Sequence, residues 1–386
     1  MIREKSYSKI INIYEIDKNK TNINTKKRER NYGIDLLRIF SMINIINLHI
    51  NIYSRQLYLP FSSPKYKAIW RLEVFSFPAV DCFGLISGIV GYIKYKFSNL
   101  IYLWLTVSFY SISISFYLFF VKGGINTKSL FLSFFPILIK RHWYVNAYFY
   151  MYLLLPFINF GINSLDRTFH KKIIIFIIFF YPIYYLIAEI LVLNTNFNFL
   201  NNGYSSMWLI LLYIIGAYFG KYTIINDKHK TTFFFFNLLI FFFSTFLSSE
   251  LHFKLIKGPK NILVNYISPT MLMQAISLII IFSILKIKNK FLIRIISFIT
   301  PLNFSAHPIH ARLFQTKIKI VTTLFNLTIK LKPKILFFKI YGFGIMTYFI
   351  CISIDYIRFL IFKLLKIRNF SLFIEKKIPE LMNKII

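Results

Sequence analysis

The chain has 386 residues, 56% hydrophobic and 20% aromatic, with 47 Lys and Arg against 14 Asp and Glu. A soluble domain could not bury that much apolar surface, so the composition excludes one and fits a polytopic helical membrane protein. The net charge of +33 reads as loop charge facing anionic lipid on top of a bias to Lys, Asn, Ile, Phe and Tyr. With no RNA- or DNA-binding motif, the expected partner is the lipid bilayer and not nucleic acid.

Residues 1–30 are polar and basic and lack the apolar core of a signal peptide, so a disordered cytoplasmic N-terminus is expected. Residues 31–365 hold apolar stretches of bilayer-spanning length at 34–53, 74–93, 99–121, 143–163, 172–193, 206–225, 231–249, 266–285, 293–314 and 338–362. The expected fold class is all-α, a membrane helical bundle with about ten transmembrane helices. Stretch 129–139 is too short to span and contains Pro136, so it reads as re-entrant or interfacial. The loops at 94–98, 221–230 and 286–292 are basic, and 194–205 carries no charge. With an even number of spans, the positive-inside rule puts both termini in the cytoplasm. The tail 366–386 is basic and weakly amphipathic, and is expected on the inner membrane surface. Cys82 and Cys351 fall inside spans and read as small core residues, with no disulfide or zinc framework.

The first span carries Asp35, Arg38 and His49. A charge at the centre of a membrane helix costs about 2.5–3.5 kcal/mol on insertion scales, so such groups point to function. Arg38 and His49 are about three turns apart, on one helix face, with roughly 16 Å of rise between them. Asp35 lies within reach of Arg38 as a helical ion pair. A guanidinium can clamp phosphate, and an imidazole can act as general base. The alternative is a boundary ion pair and a packing histidine.

In the second span, Gly84 and Gly88, and Ser87 and Gly91, form small-xxx-small pairs that let helices approach closely. Asp81 falls near the depth inferred for His49 and could orient it. The fourth span opens on His142, Trp143, Tyr144 and Asn146. An aromatic interface belt explains Trp143 and Tyr144 but not Asn146. The ninth span ends on His307 and His310 without a carboxylate or cysteine, so no metal is expected. Asp355 and Arg358 read as a structural ion pair. On the inferred topology His49, Asp81, Asn146 and His310 lie in the outer half and Arg38 in the inner half, a tunnel with donor below and acceptor above.

Four ordered blocks then carry a resemblance. The run Arg30 to Ile39 followed by His49 resembles the opening of the acyltransferase 3 family of membrane O-acyltransferases, which has an Arg, ten residues, then a His. Val80 to Gly88 resembles its second-span motif, Trp143 to Tyr148 followed by Leu155 and Pro156 its Trp-Tyr block, and Tyr213 to Lys221 its Gly-rich sixth span. The resemblance implies an acyltransferase 3 transmembrane domain over 31–365 in the cell membrane. It implies transfer of an acyl group, usually acetyl from acetyl-CoA, to a hydroxyl of a glycan or lipid-linked sugar, in the style of bacterial surface-polysaccharide acetyltransferases. Arg38 and His49 carry over as the functional pair, with Asp35 beside Arg38, and Asp81, Ser87, Trp143 and Tyr144 as pocket residues. His310 keeps the family position, whereas His307 replaces an aromatic and Arg312 a second His. Pro308 is expected to kink the span. Asn146 or Tyr144 could donate to a developing oxyanion, and a covalent acyl-histidine is a variant of the same chemistry. Two other readings stay open. A transporter of lipid-linked sugars is disfavoured by the lack of repeated halves and paired broken helices. A non-catalytic family member in a glycan assembly complex is motivated by the altered 305–312 stretch.

Overall fold

The computed structural model describes residues 30–54, 56–93, 95–120, 126–137, 142–191, 199–222, 229–254, 263–315 and 332–385. The basic segment 1–29, parts of the loops at 194–205 and 221–230, the end of stretch 129–139 and the Arg312 side chain lie outside them.

All regular structure among these residues is helical. In chain order the α-helices are α1 (Tyr32–Tyr53), α2 (Pro64–Ser76), α3 (Ala79–Gly91), α4 (Phe97–Phe120), α5 (Thr127–Leu132), α6 (Trp143–Ser164) and α7 (Arg167–Ile190). They continue as α8 (Ser206–Tyr222), α9 (Lys230–Lys254), α10 (Pro269–Ile284), α11 (Lys290–Ile299), α12 (Ala306–Gln315), α13 (Pro333–Leu364) and α14 (Ile367–Ile385). Among the described residues seven helical stretches are long and apolar enough to cross a membrane, with α8 and α10 as shorter apolar helices. The protein is an all-α polytopic bundle, with Tyr32–Ile386 forming one unit.

Two expected spans are broken helices. The second begins ten residues earlier than expected, at Pro64, and is interrupted between Ser76 and Ala79. Pro78 supplies the break: it has no N–H for the preceding turn and stands as the N-cap of α3. The ninth is split into α11, a 3-10 turn at Asn303–Ser305, and α12. Its break falls at Pro301, not at Pro308. Pro308 sits in the first turn of α12, where a missing N–H costs no intrahelical bond. Among the described residues of the stretch 129–139 the helix is α5, which ends at Leu132, ahead of Pro136.

The helix α1 occupies the centre. It packs against α2, α3, α10, α11, α12 and α13, and its residues enter both large apolar clusters. Around it, α7 and α9 turn Phe176, Phe179, Phe235, Phe236, Phe242 and Phe246 outward. A helix apolar all round suits lipid on its outer face. After Leu364 a positive φ of 50° at Lys366 turns the chain into α14, which runs against α4 with Arg368 donating to Asn99 at 2.8 Å.

The α3–α8 pair shows why the glycines stand where they do. A Cβ on Gly88 would lie 2.0 Å from the Tyr213 carbonyl, and one on Gly216 would lie 2.0 Å from the Leu85 carbonyl. Backbones meet at that seam, as small residues permit in membrane helices. Gly88→Ala and Gly216→Ala should each cost about 1–3 kcal/mol through overpacking. Gly161→Ala and Gly342→Ala, where nothing lies within 4 Å, should be neutral or slightly stabilising. Thermal unfolding of the four variants in detergent checks this.

Candidate active site

The helix α1 carries a polar stripe into the core. Asp35, Ser41, Asn44, Asn47 and Asn51 are buried along it, and Arg38 and His49 are half-buried. Arg38 Nη1 pairs with Asp35 Oδ1 at 2.6 Å. The backbone carbonyl of Arg38 accepts from Asn303 Nδ2 at 3.0 Å, and Tyr348 donates to Asn303 Oδ1 at 2.7 Å. The broken ninth span is thereby tied to α1 and α13 beside the arginine.

Three turns further on, His49 Nδ1 lies 2.8 Å from His310 Nε2. His310 Nδ1 lies 2.5 Å from the Ala306 carbonyl. A carbonyl only accepts, so His310 Nδ1 carries a hydrogen. In the neutral ring His310 Nε2 is then an acceptor, and it takes its bond from His49 Nδ1–H. The Nε2 lone pair of His49 is left as the basic atom of the pair. The rings of His49 and His307 have centroids 5.6 Å apart, and His142 and His307 also 5.6 Å. Among the described residues no group of His, Cys, Asp and Glu is arranged to hold a metal ion.

Two cavities meet at this cluster. The larger, about 460 Å³, is bordered by Arg38, Ser87, Tyr148, Asn303, Arg358 and Arg368, among others. The smaller, about 80 Å³, is bordered by His49, Glu73, Phe77, Trp143, Tyr204 and Tyr266. Ile45, Tyr144 and His307 belong to the walls of both. Arg38 lines the larger and His49 the smaller, and the two cavities adjoin at the three shared side chains. The N-terminal end of α12 opens on the larger cavity through Asn303, Ser305 and His307, and the positive end of its dipole favours negative charge there.

Of the residues singled out from sequence, Arg38, Ser87, Tyr144, Trp143 and His49 line these cavities, and His310 backs His49. Asp81 does not orient His49. It is fully buried, accepts from Trp208 Nε1 at 3.0 Å, and lines neither cavity. Its place as the His49 partner is taken by His310. Asn146 likewise lines neither, and its Nδ2 has no hydrogen-bond partner among the described residues. Asp355 and Arg358 do form a buried pair at 2.7 Å, extended by Tyr110 and Tyr102. Sequence reading missed Glu73, which it placed before the second span, and the partition role of His307. The signal for Glu73 was available: it is the one acidic residue between Asp35 and Asp81 in a chain poor in acids.

The broken, polar-cored bundle with a histidine pair beside two adjoining chambers defines a helical membrane protein with an internal site. The chain belongs to the acyltransferase 3 family, whose model, described as an acyltransferase domain, matches residues 31–362. It is thus a membrane acyltransferase. No curated protein and no solved structure matches the chain.

Trp208→Phe removes the donor from the Asp81 carboxylate while keeping an aromatic ring. A loss of about 1–3 kcal/mol is expected for the stranded acceptor. The exposed Trp104→Phe should leave the unfolding midpoint unchanged in the same assay.

Proposed function

We propose that the chain transfers acetyl from acetyl-CoA to a hydroxyl of a cell-surface or lipid-linked glycan, with both termini on the cytoplasmic side. The observation that carries this reading is that His49, in the smaller chamber and backed by His310, lies in ring contact with His307, which belongs to the walls of both chambers. A two-substrate transfer needs such an arrangement: each substrate held on its own side, and a base at the junction.

The larger chamber suits the donor. Its volume falls in the range of small-molecule sites. Arg38, Arg368 and the α12 N-terminal end give it positive potential for a phosphate-bearing molecule. The smaller chamber suits the acceptor's reacting end. There His49 Nε2 takes the proton from the hydroxyl as the oxygen attacks the thioester carbonyl. The C–O bond forms, the C–S bond breaks, and the CoA thiolate leaves. The proton on His49 then passes to that sulfur, restoring the neutral ring. His310 holds the imidazolium meanwhile through its Nε2, and Tyr144, in the wall of both chambers, is the candidate donor to the oxyanion. The basic helix α14 is assigned to the inner membrane surface on the same topology.

The test supplies radiolabelled acetyl-CoA to membranes holding wild type or His49→Ala at matched expression, followed by extraction of the envelope glycan. Base-labile label in wild type, reduced at least a hundredfold in the variant, is the expected result. Equal label in both would remove His49 from the chemistry. Label in neither, with the glycan present, would favour another acyl donor or a non-catalytic role.

A further inference from the structure

The two chambers differ in the polar groups that line them. The larger has Arg38, Arg358 and Arg368 in its walls; the smaller has neither Arg nor Lys among its lining residues, and has Glu73. Glu73 is 3% exposed, inside a helical stretch long and apolar enough to cross a membrane. A carboxylate at such a position is costly unless it is used.

Its surroundings point to a use. Asn51 Nδ2 donates to Glu73 Oε2 at 2.8 Å, which fixes the carboxylate's orientation across α1 and α2. Among the described residues Oε1 has no hydrogen-bond donor. An oxygen left over in an apolar interior costs desolvation, and here it belongs to a side chain that lines the chamber. Much of the remaining wall is flat rings, beside Ile45, Leu48, Ile52 and Val80. Trp143 lies 4.6 Å from Tyr204 and 5.7 Å from Tyr266 between centroids, and Tyr204 lies 4.9 Å from Tyr266. The chamber has room for several water-sized groups, so it takes the edge of one ring and not a whole oligosaccharide.

Resting on the acetyl-transfer reading above, we propose that Glu73 is the residue that grips the acceptor. Oε1 accepts a hydrogen bond from a hydroxyl neighbouring the one that reacts at His49, and Asn51 holds the carboxylate in place to do so. The chemistry that fits is a neutral polyol edge presented among aromatic faces. The arginines keep the polyanionic donor on the side of the larger chamber. Glu73 acts by position and selectivity, while proton transfer stays with His49.

Glu73→Gln keeps the shape and retains a carbonyl oxygen for Asn51, but puts an NH2 donor where Oε1 accepts. The assay uses native membranes, radiolabelled acetyl-CoA, and added envelope glycan from the host cells stripped of esters with mild base. Half-saturating concentrations are measured for glycan and for acetyl-CoA. The glycan value should rise at least tenfold in Glu73→Gln, with the acetyl-CoA value within twofold of wild type. A glycan value within twofold of wild type would overturn the assignment. So would equal shifts in both values, the signature of a general structural role. If wild type transfers no label, or His49→Ala transfers as much as wild type, the acetyl-transfer reading fails and this one with it. Normal His49 dependence with an unshifted Glu73→Gln rejects the Glu73 role alone.

Discussion

Polar groups that α1 carries into an apolar interior must be met by protein, because lipid offers no partner. Much of the architecture answers that demand. Asp35 meets Arg38, Ser76 meets Asn44, Glu73 meets Asn51, and His310 meets His49. The partners come from α2 and from the broken ninth span as well as from α1 itself, so the helix must sit at the centre with those elements around it. Close approach elsewhere follows from glycine: Gly88 and Gly216 bring α3 and α8 together, which fixes the scaffold around the site.

The breaks are where backbone is released to shape the chambers. Pro78 and Pro301 lie at the interruptions. Residues on either side of each, Glu73, Phe77 and Val80 in one case and Thr300, Asn303 and His307 in the other, line the cavities. Irregular backbone at this depth is tolerated where it borders a cavity inside protein. The same breaks set the division of polar groups, with the arginines lining one chamber and Glu73 the other. A bundle of unbroken helices would have placed Glu73 differently and left the ninth span without its second helix start at Ala306.

The sequence made the first helix legible because three ionisable groups in one apolar stretch are hard to explain otherwise, and the Arg38 to His49 spacing followed from helical geometry. The glycine pairs foretold the α3–α8 seam. What periodicity could not reveal was which distant groups meet. Asp81 and His310 were both plausible neighbours of His49 at similar depth, and only tertiary packing decides that Trp208 takes Asp81. Glu73 was missed because hydropathy starts the second span after it, while helix α2 starts at Pro64 with its N-cap at Ser63. Of the two prolines in the ninth span, Pro308 drew notice because it departs from the family pattern, yet Pro301 makes the break.

On the proposed chemistry His49 and His310 act as one unit beside the wall that the two chambers share. The direct measurement is the rate of label transfer in His49→Ala, His310→Ala and the double variant, at matched expression and with the acetyl-CoA affinity checked in each. Groups that work as a unit lose their effect together. The double variant should then be no slower than His49→Ala alone, and His310→Ala should approach it. Losses that multiply independently, or a His310→Ala variant at wild-type rate, would contradict the account.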